Sequence, residues 1–284
     1  RDMMPNEIII ITFFFMWYIL IILAIVYVVS GLDNLFLDTY FWVRYLFRMW
    51  KMRRYEPLTY EKLSSKNEQL IAVLIPCWSE KNVIGTMLQH NYNSIDYNNY
   101  FFFVGVYPND PETVAEVQAV ANQYPHIQCV LGENPGPTSK AANLNCLYKS
   151  VKSFEKKIKR PFSIFVLHDS EDLIHPLSFK LYNYLIPRKD MIQIPILPLK
   201  VNYLNFTHWL YADEFAENHT KIMIVREVIK GFIPSAGVGT ALSRKAIEKL
   251  GEQYNGIPFD IACFTEDYSI ALRIHLLQLK IIFL

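Results

Sequence analysis

The amino-acid sequence predicts an α/β domain with a mostly parallel sheet, preceded by a transmembrane helix. Two features carry this prediction. Apolar runs of strand length alternate with helical patterns through residues 70–284, the arrangement that places helices on both faces of a parallel sheet. The stretch Ile8–Val29 holds no charged residue, and its length is about what a ~30 Å hydrocarbon core requires.

Composition and charge exclude several classes of protein. Of the 284 residues, 52% are hydrophobic and 19% are charged, so the chain is more apolar than an average soluble domain. The formal net charge of +1 gives no support for a nucleic-acid partner. The cysteines lie apart without CxxC spacing, so neither a disulfide framework nor a thiolate metal site is predicted; they are Cys77, Cys129, Cys146 and Cys263.

The N-terminal segment, residues 1–54, is predicted to be a membrane anchor. A cleaved signal peptide would have an apolar region only about half as long as Ile8–Val29. Basic residues between Arg44 and Arg54 are interleaved with aromatic ones, which suits an amphipathic helix in the lipid headgroup region on the cytoplasmic side. An ordinary basic surface helix is the alternative. The rest of the chain is therefore expected in the cytosol, with membrane lipid as a partner.

Residues 55–69 are polar and predict a linker into a globular domain over residues 70–284. In the first half of this domain, buried strands should alternate with helices. The strands are predicted at Leu70–Pro76, Tyr100–Tyr107, His126–Leu131 and Ile164–Leu167. The helices are predicted to end near Asn91 and to cover Glu112–Gln123 and Thr138–Phe154, with Pro111 in the first turn of the second.

The second half of the domain is less regular. A short helix after Pro176 is expected to lead into an edge or irregular strand at Ile194–Pro198. A helix over Asn202–Lys230, a small-residue loop Gly231–Leu242 running into a strand, and a helix over Ser269–Leu279 are expected next. Because the sequence ends within a strand that begins at Lys280, the domain is expected to be C-terminally truncated.

Three carboxylates follow the strand Ile164–Leu167 directly: Asp169, Glu171 and Asp172. In open α/β sheets ligands bind outside the carboxyl ends of the strands, so acidic groups there meet the ligand. Asp169 and Glu171 point to the same side of an extended chain. Two hard oxygen ligands suit Mg²⁺ or Mn²⁺ bridged to a diphosphate. The alternative is a plain turn in which Asp172 caps the next helix.

Five short motifs occur in a fixed order along the globular domain. They are Ile75–Glu80, Ser139–Asn145, Asp169–Asp172, the loop Gly237–Leu242, and Thr265–Asp267. Together they resemble the family 2 glycosyltransferases, which have a GT-A fold. Three further segments, His168–Pro176, Asp213–Glu217 and Ala236–Arg244, are similar to the membrane-bound subgroup of bacterial phage-adsorption protein B (NfrB-type) transferases. Longer members of that subgroup carry a regulatory nucleotide-binding region after this domain.

The resemblance implies transfer of a sugar, with inversion, from a nucleotide-diphosphate donor, a UDP-sugar, to a hydroxyl of a glycan or lipid-linked acceptor. The setting it implies is bacterial surface or exopolysaccharide synthesis at the inner membrane, with export-complex proteins as further partners. Asp267 would be the catalytic base, and Glu266 would orient it or the acceptor. The nucleotide sugar would contact Glu80, Asp110, Lys140 and Asp169.

The metal ion, Mg²⁺ or Mn²⁺, would lie on Asp169 and Glu171, and Gly237, Gly239 and Thr265 would line the acceptor side. Glycine lets the backbone approach a ligand closely, although a tight turn beside the sheet would also use it. Likewise, Thr265–Asp267 would also fit a plain helix-capping sequence. Glu171 stands where the family pattern has a second Asp, which leaves open whether Glu171 or Asp172 meets the metal.

Other classes of function fit the sequence less well. The lysine in Gly132–Lys140 comes too late for a Walker phosphate loop, and no His-Glu-x-x-His pair suggests a zinc hydrolase. The remaining alternative is a non-catalytic membrane scaffold, or a nucleotide-sensing component for polysaccharide export or phage adsorption. The Gln-x-x-Arg-Trp motif of processive members does not occur in residues 1–284, and the motifs that do occur predict neither a processive nor a non-processive enzyme.

Overall fold

The computed structural model describes residues 5–199, 205–229, 231–263 and 265–284. The chain forms two compact units, Arg1–Glu56 and Pro57–Leu284. Each unit is described here by itself.

The first unit is a single helix, α1, which runs unbroken over Pro5–Met52. Its 48 residues correspond to a length of ~72 Å at 1.5 Å per residue. By length and composition, Ile9–Met52 could cross a membrane. The apolar stretch and the basic residues up to Lys51 form one continuous helix, and the placement of the segment Arg44–Arg54 at the lipid headgroups stays a prediction. No proline separates the two parts, and Gly31 alone costs only about 1 kcal/mol in a helix.

The second unit is organised by a seven-stranded sheet with the order β3-β2-β1-β4-β6-β5-β7. Strand β6 runs antiparallel to both of its neighbours, and the other pairs are parallel. The strands are β1 Ile71–Pro76, β2 Tyr100–Val106, β3 Ile127–Leu131, β4 Ile164–Leu167, β5 Met191–Gln193, β6 Thr240–Ser243 and β7 Ile281–Phe283. The prediction of a mostly parallel sheet is confirmed.

Helices connect these strands. They are α2 Tyr60–Ser64, α3 Ile84–Ser94, α4 Pro111–Gln123, α5 Lys140–Ile158, α6 Ser178–Leu185, α7 Phe206–Glu217, α8 Met223–Val228, α9 Arg244–Glu252 and α10 Glu266–Leu276. A π-helical turn, Asn218–Ile222, joins α7 to α8. Pro111 occupies the first turn of α4, as predicted, and Asp110 caps that helix by accepting a hydrogen bond from the Thr113 amide.

The sheet has a hydrophobic core on each face, as the alternation of side chains along β1 shows. Ile71, Val73 and Ile75 pack into one core, which also contains residues of α3, α4 and α6. Ala72 and Leu74 pack into the other core, with residues of α5, α9 and α10. Because both faces are covered, the central strands are apolar at every position.

Two predicted elements differ from the structure. Ile194–Pro198 forms no strand; the strand of this region is β5, which ends at Gln193 and lies inside the sheet between β6 and β7. Pro195 and Pro198 lack the amide hydrogen that a strand between two neighbours needs. The helix predicted over Asn202–Lys230 begins at Phe206; residues 200–204, residue 230 and the predicted Phe264 lie outside the described residues.

Candidate active site

The candidate site lies at the carboxyl ends of β1, β2 and β4, where the strand order reverses: the chain passes from β1 to β2 on one side, and from β3 to β4 on the other side of β1. Such a switch point opens a crevice beside the sheet. A cavity of about 350 Å³ occupies this place. Four predicted site residues line it: Glu80, Lys140, Asp169 and Glu171. Residues from three separate motifs are therefore brought to one cavity.

Lys140 forms the centre of a charged cluster in this cavity. Ser139 caps α5 by accepting a hydrogen bond from the Ala142 amide, and this places Lys140 in the first turn of the helix. The Lys140 Nζ atom lies 2.5 Å from Asp169 Oδ1 and 3.7 Å from Glu266 Oε1. Sequence segments that are 29 and 126 residues away from Lys140 thus meet at its ammonium group.

In the turn after β4, Asp169 and Glu171 line the cavity, whereas Asp172 forms hydrogen bonds within the turn itself. Asp172 Oδ2 accepts a hydrogen bond from the Asp169 amide at 2.9 Å and contacts His168 Nδ1 at 2.8 Å. Asp172 does not cap α6, whose N-cap residue is Leu177. The carboxylate of Asp172 is therefore directed into its own turn, whereas the Glu171 side chain is exposed beside the cavity.

A buried asparagine on α3, Asn91, forms hydrogen bonds to the backbone of the turn after β4. The Asn91 side chain is fully buried; its amide nitrogen donates to the Asp172 carbonyl at 2.8 Å, and its oxygen accepts from the Ile174 amide at 2.9 Å. Both backbone groups are satisfied by this one side chain. Because a buried backbone group without a partner is costly, Asn91 fixes the path of the turn.

The predicted acceptor side comprises the loop before β6 and the start of α10. Gly237 and Gly239 have φ angles of +76° and +61°, which favour glycine. A Cβ atom on Gly237 would lie 3.1 Å from Asp267 Oδ2 and 3.5 Å from Lys140 Nζ. Thr265 makes no side-chain cap to α10, which speaks against a plain capping role for Thr265–Asp267. Asp267 Oδ1 accepts a hydrogen bond from the Tyr268 amide at 2.7 Å.

Glu80 and Asp110 hold different places around the loop after β1. Glu80 lines the cavity, and its amide donates to Thr113 Oγ1 at 3.1 Å. Asp110 does not line the cavity; its Oδ2 atom accepts from the Ser79 amide at 2.7 Å while its Oδ1 caps α4. Ser79 has a φ of +60°, so this hydrogen bond supports a strained residue next to the cavity. The predicted contact between Asp110 and the nucleotide stays a prediction.

An aromatic wall of the cavity was not predicted from the sequence. Trp78 and Tyr107 both line the cavity, with ring centroids 5.4 Å apart in an edge-to-face arrangement. A Cβ atom on Gly136 would lie 2.6 Å from the Tyr107 ring and 2.8 Å from the Trp78 ring, so only glycine fits against the pair. The signal in the sequence is a large aromatic residue within two positions of the end of each of two neighbouring strands.

Burial and the charges of the site shift the pKa values of Lys140 and Cys77. Burial disfavours the charged form of Lys140. The negative charges of Asp169, Glu266 and Asp267 outweigh this effect, with Asp169 contributing most, and raise the pKa of the ammonium group. Burial, and to a smaller extent the carboxylates of Glu80, Asp169 and Asp110, raises the pKa of the Cys77 thiol well above its usual value. Cys77 therefore stays a neutral thiol in the wall of the cavity.

No complete metal cage is formed by protein side chains among the residues that the structure describes. No group of three His, Cys, Asp or Glu side chains converges there. Asp169 and Glu171 are nevertheless the hard oxygen donors that Mg²⁺ and Mn²⁺ accept, and Mg²⁺ is usually bound by one or two carboxylates plus phosphate oxygens and water. The donor set fits a cation that arrives with a diphosphate.

A second, larger cavity of about 460 Å³ shares Tyr107, Thr138 and Asn143 with the first. Its remaining walls come mainly from α5, from the end of β3 with the loop after it, and from the segment Gly256–Pro258, and they are largely apolar. It contains none of the carboxylates near Lys140. The polar chemistry is concentrated in the smaller cavity, which is therefore the candidate donor site.

The comparisons with known proteins agree with this geometry. A profile of the family described as "Glycosyltransferase like family 2" matches residues 68–284. The chain belongs to this family. The chain is 43% identical over 257 residues to Bacteriophage adsorption protein B of Escherichia coli (strain K12) and to Bacteriophage N4 adsorption protein B of Escherichia coli O157:H7. The alignment covers 90% of this chain but 34% of each relative, so the chain spans about a third of their length. The expected family and subgroup are confirmed.

Solved structures support the fold of this glycosyltransferase domain. The mannosyltransferase PcManGT from Pyrobaculum calidifontis, solved with GDP-Man and Mn²⁺, has a TM-score of 0.52 at 16% identity, covering 88% of this chain and 65% of that one. The Staphylococcus aureus protein TarS (residues 1–349) has a TM-score of 0.52 at 12% identity, covering 76% and 58%. At these identities the likeness shows the GT-A fold, which the sequence predicts.

Proposed function

We propose that this chain is a membrane-anchored, inverting glycosyltransferase that moves a sugar from a UDP-sugar to a hydroxyl group. The observation that carries the proposal is the convergence of Lys140, Asp169, Glu266 and Asp267 beside a cavity of about 350 Å³, a volume typical of small-ligand sites. Family membership supplies the reaction class. The proposed acceptor is a glycan or lipid-linked hydroxyl, and the proposed setting is the cytosolic face of a bacterial inner membrane.

The donor side of the mechanism follows from the cavity walls. The exposed Trp78 ring, which packs edge-to-face on the buried Tyr107, offers a surface on which a nucleobase stacks. Glu80 accepts hydrogen bonds from the base or ribose. Lys140 binds the diphosphate and stabilises the charge that develops on it as the glycosidic bond breaks. A Mg²⁺ or Mn²⁺ ion held by Asp169 and Glu171 would supply further positive charge at the leaving diphosphate.

Asp267 serves as the base on the opposite side of the sugar. Inverting transfer requires a group that removes the acceptor proton while the bond to the diphosphate breaks. The Oδ2 atom of Asp267 lies beside Gly237, where a residue with a Cβ would crowd it, and Oδ1 is held by the Tyr268 amide. Glu266 contacts Lys140 from the neighbouring position and orients the base or the acceptor.

Two variants of the full chain in detergent test this proposal. Binding of UDP, GDP and Mn²⁺ is measured by calorimetric titration, and sugar transfer is measured by the release of UDP. Asp267→Asn should abolish sugar transfer while UDP binding survives, because the base acts on the acceptor. Glu171→Ala should weaken metal-dependent UDP binding. Loss of UDP affinity in Asp267→Asn would contradict the role of base, and tighter binding of GDP than UDP would reassign the donor.

The second candidate is a non-catalytic scaffold or nucleotide sensor. It is favoured by the names of the two relatives, which describe bacteriophage adsorption proteins. In that case the export-complex proteins or a phage component would be the partners. The scaffold predicts that UDP-sugars bind without turnover in the wild type, so product formation in the presence of Mn²⁺ separates the two candidates.

A further inference from the structure

We propose that Lys140 is an internal counter-ion which occupies the place of the divalent cation and makes that cation enter the site together with the diphosphate. The inference rests on the proposed donor site and concerns the order of binding there. Lys140 Nζ contacts Asp169 Oδ1 at 2.5 Å, and Asp169 is one of the two residues proposed to hold the metal. One ligand atom of the metal is thus already engaged by a cation of the protein.

The surroundings of Lys140 make this contact strong. Its side chain and that of Asp169 are each about one third exposed, at 32% and 35%, and Glu266 is 12% exposed. Charge-assisted hydrogen bonds in partly dehydrated sites are shorter and stronger than neutral ones. Asp267 adds a further negative charge, since its Oδ2 atom and Lys140 Nζ lie on the same side of Gly237.

A bare divalent cation therefore meets two obstacles in the nucleotide-free site. It must break the Lys140–Asp169 contact, and it must then lie close to an ammonium group whose charge repels it. Asp169 and Glu171 without Lys140 would offer two free carboxylates. The lysine thus weakens binding of the metal alone.

The diphosphate removes both obstacles. Its oxygens accept hydrogen bonds from an ammonium group, so Lys140 can turn from Asp169 to the phosphate without losing its counter-charge. Asp169 is then released to the metal, and the diphosphate supplies the oxygens that the protein lacks. Nucleotide and metal consequently bind as one unit, and the site resists loading by free metal ions.

The test measures Mn²⁺ binding to the full chain in detergent without nucleotide, by the electron paramagnetic resonance signal of free Mn²⁺. Lys140→Met should bind Mn²⁺ roughly tenfold or more tightly than the wild type, since a nearby positive charge is removed. In the same variant, UDP binding at saturating Mn²⁺ should weaken by roughly tenfold or more, because a phosphate contact is lost. The two affinities are expected to move in opposite directions.

Controls separate this effect from a general change of charge or fold. Lys149→Met removes a lysine from the same helix, where it pairs with Glu133 at the surface, and should change neither affinity. Lys140→Arg keeps the charge and should retain weak Mn²⁺ binding. Adding Asp169→Asn to Lys140→Met should abolish the tightened Mn²⁺ binding, which shows that the ion occupies this site.

The outcome distinguishes this inference from the proposed function. Unchanged or weaker Mn²⁺ binding in Lys140→Met overturns the counter-ion role, whatever UDP does, and so does UDP binding that is equally tight with and without Mn²⁺ in the wild type. A different result would be that no form binds UDP while Lys140→Met still binds Mn²⁺ more tightly than the wild type. This would contradict the proposed donor site but would support the competition between Lys140 and the metal ion.

Discussion

At the scale of single residues, the site depends on atoms that short motifs do not report. Asp267 and Lys140 are separated by 127 positions, and Gly237 brings them together because it has no side chain. The sequence predicts each residue through its motif. The direct contact between Lys140 and Asp169 was not predictable, because it depends on how α5 and the turn after β4 approach each other across the sheet.

Gly237→Ala should impair transfer more than donor binding. The φ of +76° costs a residue with a Cβ about 1–2 kcal/mol. The new Cβ would also lie 3.1 Å from Asp267 Oδ2, so the carboxylate of this proposed base must move. We expect a large fall in kcat with little change in the Kd for UDP, measured by a coupled UDP-release assay and calorimetry.

A second glycine provides the matched control for this variant. Gly256 has a φ of +88°, but a Cβ there would have no atom within 4 Å. Gly256→Ala should therefore lose similar stability and keep its kcat. Equal loss of kcat in both variants would show that backbone strain, rather than crowding of Asp267, causes the effect.

At the scale of elements, the strands and their order along the chain were predictable. The side-chain contacts that hold the turn after β4 in place were not. Continuous apolar runs identify β1, β2 and β4, because strands that are covered on both faces need no polar positions. The contact between α3 and the turn after β4 is made by Asn91. No local sequence pattern indicates this role. In the sequence Asn91 is one polar residue of an amphipathic helix.

Asn91→Leu should destabilise the domain and weaken metal-dependent nucleotide binding. The substitution leaves the Asp172 carbonyl and the Ile174 amide without their partner, at a cost of about 2–4 kcal/mol for two buried groups. The freed turn should present Asp169 and Glu171 less precisely. We expect a lower Tm and a higher Mn²⁺ concentration for half-maximal UDP binding.

Asn145 offers a control of the same chemistry at another place. Its side chain makes the same pair of contacts to the backbone of Phe259, at 2.7 and 3.0 Å. Asn145→Leu should lower the Tm comparably and leave the Mn²⁺ dependence unchanged. If both variants shift the Mn²⁺ dependence alike, Asn91 has no specific role in positioning the carboxylates.

The turn between α7 and α8 should make the stability of the globular unit sensitive to acid. Burial lowers the pKa of His219, whose ring stacks on Phe215 at 4.5 Å and whose Nδ1 accepts from the Ile196 amide. The unfolded chain therefore binds this proton at higher pH than the folded chain does. Stability falls as the pH drops below the usual value of 6.5, by at most about 1.4 kcal/mol per unit, until the folded pKa is reached.

Thermal unfolding between pH 7.5 and 5.5 measures this effect. His219→Gln keeps an acceptor for Ile196 and removes the titration, so its Tm should depend less on pH than that of the wild type. His90 is exposed on α3, and His90→Gln should leave the wild-type dependence unchanged. If the Tm of His219→Gln depends on pH as strongly as that of the wild type, other groups cause the acid sensitivity.

At the scale of the whole molecule, the chain combines a helix of membrane-spanning length with a domain that has its own two cores. The sequence predicts both parts, because an uncharged apolar stretch and an alternation of strands and helices are strong patterns. It does not predict that α1 continues to Met52. Aromatic and basic residues at the lipid headgroups suit a helix that lies flat and a helix that continues upright equally well.

The connection between the two units should be the preferred site of proteolysis. Residues 53–59 form neither helix nor strand, and Arg53 and Arg54 are exposed. Trypsin requires an extended, accessible segment, whereas most of the basic residues described in the globular unit lie on helices. Limited trypsin treatment should therefore release a fragment that begins near Tyr55, which mass spectrometry identifies. The fragment should still bind UDP, because the site residues all belong to the second unit.

The same cleavage tests the proposed orientation in the membrane. If the domain faces the cytosol, trypsin should release the fragment from inverted inner-membrane vesicles and leave sealed, right-side-out vesicles uncut until they are opened with detergent. Replacing Arg53 and Arg54 with Gln should suppress the cut in both preparations, which identifies the site. Cleavage in intact right-side-out vesicles would place the domain outside the cytosol, away from the pool of nucleotide sugars, and would favour the scaffold over the transferase.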